Sequence, residues 1–307
     1  MDIKQFRIIL YAICYAIFST FISSCNNETG FNYYSKFVYT NHDEIRVLDL
    51  VSKKESILLR DTTSIHLGKI IKLSKNIYIF ESLDLDSDSL KLSAFLPQSK
   101  IYYELVSGSN PIRISDEEFI YFRNNKKTKK NQLFKSDLKY HDLYYEFNED
   151  FIYDNVIKIG DTCLVFFNKN NELMKFNIKN KTIGTTNADC KGIRKILKKN
   201  SFIKNTDIYN IYPVFYSENR GQLYCNYLHQ NKLYIINMIN GQKDSTDQLF
   251  SSIYIYDNNH DCVYYQDDVF NIFPIIGEST NLVRYDFKTK SEFLIKKDVR
   301  FHGGFFE

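Results

Sequence analysis

The stretch Leu173-Met174-Lys175-Phe176-Asn177-Ile178-Lys179-Asn180-Lys181 constrains this chain more than any other feature, because it recurs. Met174, Phe176 and Ile178 alternate with polar residues, the period of two that a half-buried strand requires. A polar turn follows, and the next strand begins at Thr182-Ile183. Echoes occur at Val47-Leu48-Asp49-Leu50, Leu133-Phe134-Lys135-Ser136-Asp137-Leu138, Tyr234-Ile235-Ile236-Asn237-Met238 and Val283-Arg284-Tyr285-Asp286-Phe287, with a weaker one at Leu92-Ser93-Ala94-Phe95-Leu96. Asp or Asn stands just before the last apolar residue in every copy but the weak one, where Phe95 replaces it. A carboxylate or amide there can accept hydrogen bonds from the backbone of the coming turn. The copies are centred roughly 40 to 50 residues apart, with one gap of about 60, which is the repeat length of a propeller blade. One such unit has too little apolar surface to stand alone, and stacked neighbours bury both faces of each sheet.

The composition fits. Of 307 residues, 44% are hydrophobic and 25% charged, so a full core can be buried. Phe (25) and Tyr (24) suit strands packed on both faces, and only 4 Pro interrupt them. A net charge of +3 gives no argument for a nucleic-acid partner. Lys, Asn and Ile are common throughout, which lowers the weight of any one lysine cluster.

Taken in order, the strands group into blades of up to four, innermost to outermost. The first (37–39, 45–50, 56–59) lacks an inner strand. The second (67–73, 76–81, 90–96, 101–105), third (111–115, 119–123, 132–138, 143–147) and fourth (155–160, 163–168, 173–178, 182–185) are complete. The fifth (211–216, 222–227, 232–238) has a weak outer segment near 244–247, and the sixth runs 252–257, 263–266, 281–287 and 292–295. Val299-Arg300-Phe301-His302 follows where an innermost strand is due, so it is predicted to complete the first blade, close the ring and remove exposed sheet edges. The expected fold is all-β: a six-bladed propeller of four-stranded antiparallel blades. Five or seven blades, or a pair of β-sandwiches, are the alternatives. The pattern resembles the six-bladed β-propellers found on lipoproteins of Bacteroidota. No WD dipeptide, kelch glycine pair or calcium-repeat signature accompanies it.

The N-terminus adds an address. Lys4 and Arg7 precede an apolar run from Ile8 to Phe21, too short for a comfortable membrane span, and Ile22-Ser23-Ser24-Cys25 follows. Small residues before Cys25 resemble the lipobox of bacterial lipoproteins. That resemblance implies cleavage before Cys25 and lipid on its sulfur, with several acyl chains giving a stable anchor. An ordinary signal peptide or a lone membrane helix is the bland alternative. The predicted organisation is a signal peptide over 1–24, a tether over 25–30 and one propeller over 31–307, exported and lipid-anchored in the cell envelope, with the outer membrane favoured.

Candidate chemistry sits in loops. Asp84, Asp86 and Asp88 alternate as hard-cation ligands do, but the glycine and terminal Glu of an EF-hand are missing, so an acidic hairpin tip is the expectation and no metal is assigned. Lys126, Lys127, Lys129 and Lys130 form the equivalent tip of the next blade, suited to phosphate or an acidic glycan if not simply solvated. An insertion near 188–206 carries Arg194 and Lys195, with Ile193, Ile196 and Leu197 on one face of an expected short basic helix. A long hairpin over 267–280 opens with Asp267 and Asp268 and is rich in apolar residues. Hairpins between second and third strands share a propeller face with the connections between blades, so these groups are expected to line one ligand face. Tyr209, Tyr212, Tyr216, Tyr254 and Tyr256 are expected on inner strands, lining a channel or packing in the core. Cys163, Cys225 and Cys262 fall near one point of successive second strands, as small buried residues would, and Cys190 lies in the insertion. No CxxC, HExxH, GxSxG or phosphate-loop motif occurs in context, and no cofactor is implied.

Two function classes follow. The first is a non-enzymatic lipoprotein whose propeller face binds a glycan, a peptide or an envelope protein. The second is a glycan-cleaving hydrolase or lyase with its site at the channel mouth. Two carboxylates about 5 to 10 Å apart in the channel would support hydrolysis, and a closed apolar channel would support binding.

Overall fold

The computed structural model describes residues 33–60, 66–84, 89–148, 151–170, 172–186, 211–227, 230–239, 242–249, 254–269 and 279–307. The expected signal peptide, tether and basic insertion lie outside these residues, as do Cys14, Cys25, Asp86, Asp88, Cys190, Arg194 and Lys195.

Six four-stranded antiparallel sheets are arranged as blades. In chain order the strands are β1 (Lys36–Asn41), β2 (Glu44–Asp49), β3 (Glu55–Arg60), β4 (His66–Ser74), β5 (Ile77–Asp84), β6 (Ser89–Leu96), β7 (Ile101–Ser107), β8 (Ser109–Arg113), β9 (Phe119–Asn124), β10 (Asn131–Ser136), β11 (His141–Glu146) and β12 (Ile157–Ile159). They continue with β13 (Cys163–Phe167), β14 (Leu173–Asn177), β15 (Thr182–Thr185), β16 (Ile211–Ser217), β17 (Gln222–Tyr227), β18 (Gln230–Asn237), β19 (Lys243–Leu249), β20 (Tyr254–Asp257), β21 (Cys262–Val269), β22 (Ser279–Asp286), β23 (Ser291–Lys296) and β24 (Gly303–Phe306). Blade 1 is β24-β1-β2-β3, and blades 2 to 6 follow as β4–β7, β8–β11, β12–β15, β16–β19 and β20–β23.

The recurring Asp or Asn does what its position predicts. Asp49 Oδ1 accepts the N–H groups of Val51 (3.0 Å) and Ser52 (2.6 Å). Asp137 caps Lys139 and Tyr140, Asn177 caps Lys179 and Asn180, Asn237 caps Ile239, and Asp286 caps Lys288 and Thr289. These bonds hold the Asp49 and Asp137 carboxyls below the usual carboxylate range. Three of these turns then place a lysine at positive φ, Lys53 (57°), Lys181 (57°) and Lys290 (55°), as the turn of the weak copy does at Lys100 (56°). The weak copy shares that backbone without the cap.

Aromatic side chains fill the space between blades. Phe122, Phe147, Phe166 and Phe176 are buried between blades 3 and 4, and Phe37, Tyr39, Tyr264 and Phe301 between blades 1 and 6. Burying one such ring contributes about 1.5–3 kcal/mol. Two prolines occupy innermost strands without costing a ladder bond. Pro111 and Pro213 fall where the register with the second strand slips, and a bulge or edge is where a strand tolerates proline.

The ring closes as predicted, but with different residues. The C-terminal strand is Gly303–Phe306, not Val299–His302, and it pairs antiparallel with β1 from Phe37↔Phe306 to Thr40↔Gly303. Val299 and Phe301 instead turn into the core shared by blades 1 and 6. The glycines explain the shift. A Cβ on Gly304 would lie 2.8 Å from the Val38 carbonyl and 2.5 Å from the Phe37 ring. A Cβ on Gly303 would meet Lys69 and Ile70 of β4 nearly as closely, so only side-chain-free residues fit between β1 and β4 there. The Glu307 side chain then bonds Tyr78 and Lys72 of blade 2.

Candidate functional site

Alternation of strand direction gives the ring two ends. One, the connector end, carries the β5–β6, β9–β10 and β21–β22 hairpins, the β1–β2 turn and the connections between blades. The other carries the remaining turns. All six innermost strands border a central cavity of about 650 Å³. Its wall is largely apolar, with Ile70, Val156, Pro213, Val214 and Ile255 among the lining residues.

Charge enters this wall from blades 2 to 4. Lys69 is half-buried at the channel wall, and its Nζ donates to Asn110 Oδ1 at 2.5 Å. Burial lowers its ammonium to about 8, against the support of the Glu81 and Asp154 charges. Among the described residues no carboxylate lies within the 4 Å of an ion pair with Lys69 Nζ. Glu81 accepts the Lys69 N–H on Oε2 (3.2 Å) and the Asn110 N–H on Oε1 (3.0 Å), joining the inner strands of blades 2 and 3. Burial raises the Glu81 carboxyl, and the nearby Asp154 charge adds to the rise. Asn110 sits at φ 51° and donates to the Tyr153 and Val156 carbonyls, tying in blade 4. Asp154 accepts from Ser109 Oγ at 3.1 Å. It is open to water inside the channel yet crowded by protein, and that crowding raises its carboxyl. At the same end His302 lines the cavity and packs edge-on to His42, ring centroids 5.4 Å apart.

Among the described residues, none of the groups expected at the ligand face lines the cavity. Asp84 ends β5 and is paired with Lys91 at 2.8 Å, beside Glu104. Lys126, Lys127 and Lys129 are exposed in the β9–β10 turn, while Lys130 reaches outward to Asn148 and Glu146. Asp267 and Asp268 are not loop residues: the ladder of β21 and β22 continues through Asp267↔Asn281 to Val269↔Ser279. The expected long hairpin is therefore shorter, and its 270–278 tip lies outside the described residues. Of the expected channel tyrosines, Tyr212 lines the cavity, whereas Tyr216 and Tyr256 pack between blades. The side chains of Tyr209 and Tyr254 lie outside the description. Cys225 and Cys262 are buried and Cys163 is half-buried. Among the described residues no three His, Cys, Asp or Glu side chains group as a metal site would need.

Sequence reasoning missed Lys69, Glu81, Asn110, Asp154 and His302. A usable signal existed: Lys69 and Glu81 each interrupt an apolar run in an inner or second strand, Leu67-Gly68-Lys69-Ile70-Ile71 and Ile79-Phe80-Glu81. A charge there faces either a channel or a partner.

No protein-family model matches the chain, and comparison with curated proteins gives no match. The fold does have solved counterparts. A chain in the crystal structure of a nidogen/laminin complex is similar over 88% of this chain and 97% of its own length, with TM-score 0.57 and 8% identity. TolB from Acinetobacter baumannii is similar over 88% of this chain, with TM-score 0.58 and 10% identity, and this chain spans 64% of that TolB. An oligogalacturonate lyase in complex with manganese matches 77% of this chain and 72% of its own, with TM-score 0.51 and 9% identity. The architecture is a six-bladed β-propeller. At these identities the likeness is one of fold.

Proposed function

We propose that this chain is an exported, envelope-anchored lipoprotein whose propeller binds a peptide segment of a partner protein at the connector end of its channel. The observation that carries the binding reading is the state of Glu81. Both of its carboxylate oxygens hold backbone N–H groups, so it joins blades instead of serving as acid or nucleophile. Lys69 and Arg113 as donors and Asp154 as acceptor then stand against a largely apolar wall. That combination suits the amides and carboxylate of a peptide, with Tyr212 and Phe306 on the same wall for its side chains. The anchor rests on Lys4, Arg7, the Ile8–Phe21 run and Ser23-Ser24-Cys25.

Incorporation of labelled palmitate, abolished by Cys25→Ser, tests the anchor. For binding, a photo-crosslinking amino acid is placed at Asn155 in the channel, or at Asn180 at the far end, of the full chain in its native cells. A discrete adduct from Asn155 alone, lost with Lys69→Met, is expected. Equal adducts from both positions, or none, overturn the binding reading.

A second reading draws on a separate observation. A lysine lowered to about 8 in a channel is a general-base candidate, as a glycan lyase would require. New unsaturated uronate absorbance on incubation with polygalacturonate, lost with Lys69→Met, would establish it.

A further inference from the structure

We infer that the end of the ring opposite the connector end is a docking surface for anionic lipid headgroups, so that the channel mouth points away from the membrane. The argument starts from the turns that join third to fourth strands. They carry Lys53, Lys54, Lys100, Lys139, Lys179, Lys181, Lys288 and Lys290, and all eight are exposed. Five of the six blades contribute. Against these lysines stand the capping aspartates Asp49, Asp137 and Asp286, which leaves an excess of five positive charges on the outer rim. Of the acids nearer the axis at this end, Asp116 pairs with Arg113, Glu118 with Lys135 and Asp261 with Arg220, while Glu117, Asp161 and Glu218 are exposed, so the positive excess belongs to the outer rim.

The same turns carry the three most exposed large apolar residues among those described: Ile239 (84%), Val51 (79%) and Tyr140 (68%). An apolar or tyrosine tip beside lysines is the combination that lies shallowly in a headgroup layer. The sixth blade's turn has Thr289 in that place.

The third observation is where the chain enters. β1 begins at this end, with the Ser35 and Lys36 N–H groups on the Glu307 carbonyl. Tyr33 stacks on His260 in the β20–β21 turn, centroids 3.8 Å apart, and the Arg284 guanidinium lies over the Tyr33 ring at 4.9 Å. The start of the propeller is therefore pinned to the lysine end. Fully extended, the seven residues from 26 to 32 span at most roughly 25 Å. A lipid on Cys25 keeps the rim close to the bilayer, and each lysine near an anionic surface strengthens the attraction. The orientation rests on the lipoprotein reading for its anchor. The rim's own affinity does not.

The test uses the full chain in phosphatidylcholine vesicles with or without phosphatidylglycerol, carrying a brominated-lipid quencher. A fluorescent amino acid is placed at Thr289 or, on the connector end, at Thr128. Quenching at Thr289 and not at Thr128, present only with phosphatidylglycerol and lost near ~1 M salt, where the screening length falls to about 3 Å, is expected. Replacing Lys53, Lys100, Lys181 and Lys290 by glycine removes four charges while suiting the positive φ of each position. It is expected to abolish quenching without lowering thermal stability. Quenching at Thr128, at both positions or at neither overturns the inference. Quenching at Thr289 that ignores lipid charge also overturns it, because the tether alone would then set the orientation. If palmitate labelling fails but salt still strips the chain from anionic vesicles, the rim stands and the anchor reading falls.

Discussion

Gly303 of the C-terminal strand lies so close to Lys69 of blade 2 that a Cβ on it would come within 2.9 Å of the Lys69 Cα and 3.1 Å of the Ile70 nitrogen. The strand that closes the ring thus also abuts the strand that carries the channel lysine. Gly303→Ala is expected to destabilise the protein by about 1–3 kcal/mol, the cost of overpacking against backbone. Gly184→Ala, whose added Cβ meets nothing within 4 Å, is expected to be neutral or to stabilise by up to about 1 kcal/mol. Urea midpoints of the two variants check this, and equal values would show that closure does not depend on that contact.

Glu81 is expected to matter for stability first. Glu81→Gln keeps the size of the side chain but offers a single acceptor atom, so one of the Lys69 and Asn110 N–H groups loses its partner. An unsatisfied buried amide costs about 1–3 kcal/mol. A variant with unchanged urea midpoint would mean that Glu81 is available for chemistry.

Lys69 has a signature in alkaline solution. Its folded-state value, about 8, lies below the ordinary 10.5. Below pH 8 the lysine is protonated in both folded and unfolded chains, and the penalty of the buried charge is fully present. Between pH 8 and 10.5 the folded chain has released the proton while the unfolded chain retains it, so this group makes stability rise with pH over that window. Comparison with Lys69→Met, which lacks the rise, isolates the effect. Because the Asp154 charge supports the ammonium, Asp154→Asn is expected to move the Lys69 midpoint below 8, read by carbon NMR at Cε. A midpoint near 10.5 in the parent would place Lys69 in open water.

The turn caps give a modular test. Asn177→Ala and Asp286→Ala each remove a side chain that holds two backbone N–H groups, and each is expected to cost about 1 kcal/mol. The two turns lie in separate blades, so the double variant should show the sum within about 0.5 kcal/mol. A shortfall beyond that would reveal coupling between blades 4 and 6.

Much of the architecture was legible because it is local. Alternation in Leu173–Ile178 and its copies, and the Asp or Asn before each turn, depend on neighbours in the chain, so blade number, strand order and even the missing first inner strand could be read off. The closing strand was misplaced by four residues because Val299 and Phe301 look more like a strand than Gly303-Gly304 does. Only the closeness of β4 to Gly303 and of β1 to Gly304, both far away in sequence, makes glycine the better strand residue there.

The site was hardly legible, for the opposite reason. Asp84, Lys130 and their like stand out as runs, yet hairpin tips project from a propeller, and their charges meet local partners such as Lys91 and Glu146. By itself the sequence determined the blades, the capped turns and the lysines that follow them, since hydrogen bonds and side-chain alternation over a few residues decide those. Only the tertiary structure decided that Lys69, Asn110 and Asp154, from three different blades, meet at one channel end, and that the chain enters at the other. Closing the ring fixes both, because it sets which inner strands share the axis and which end each turn must occupy.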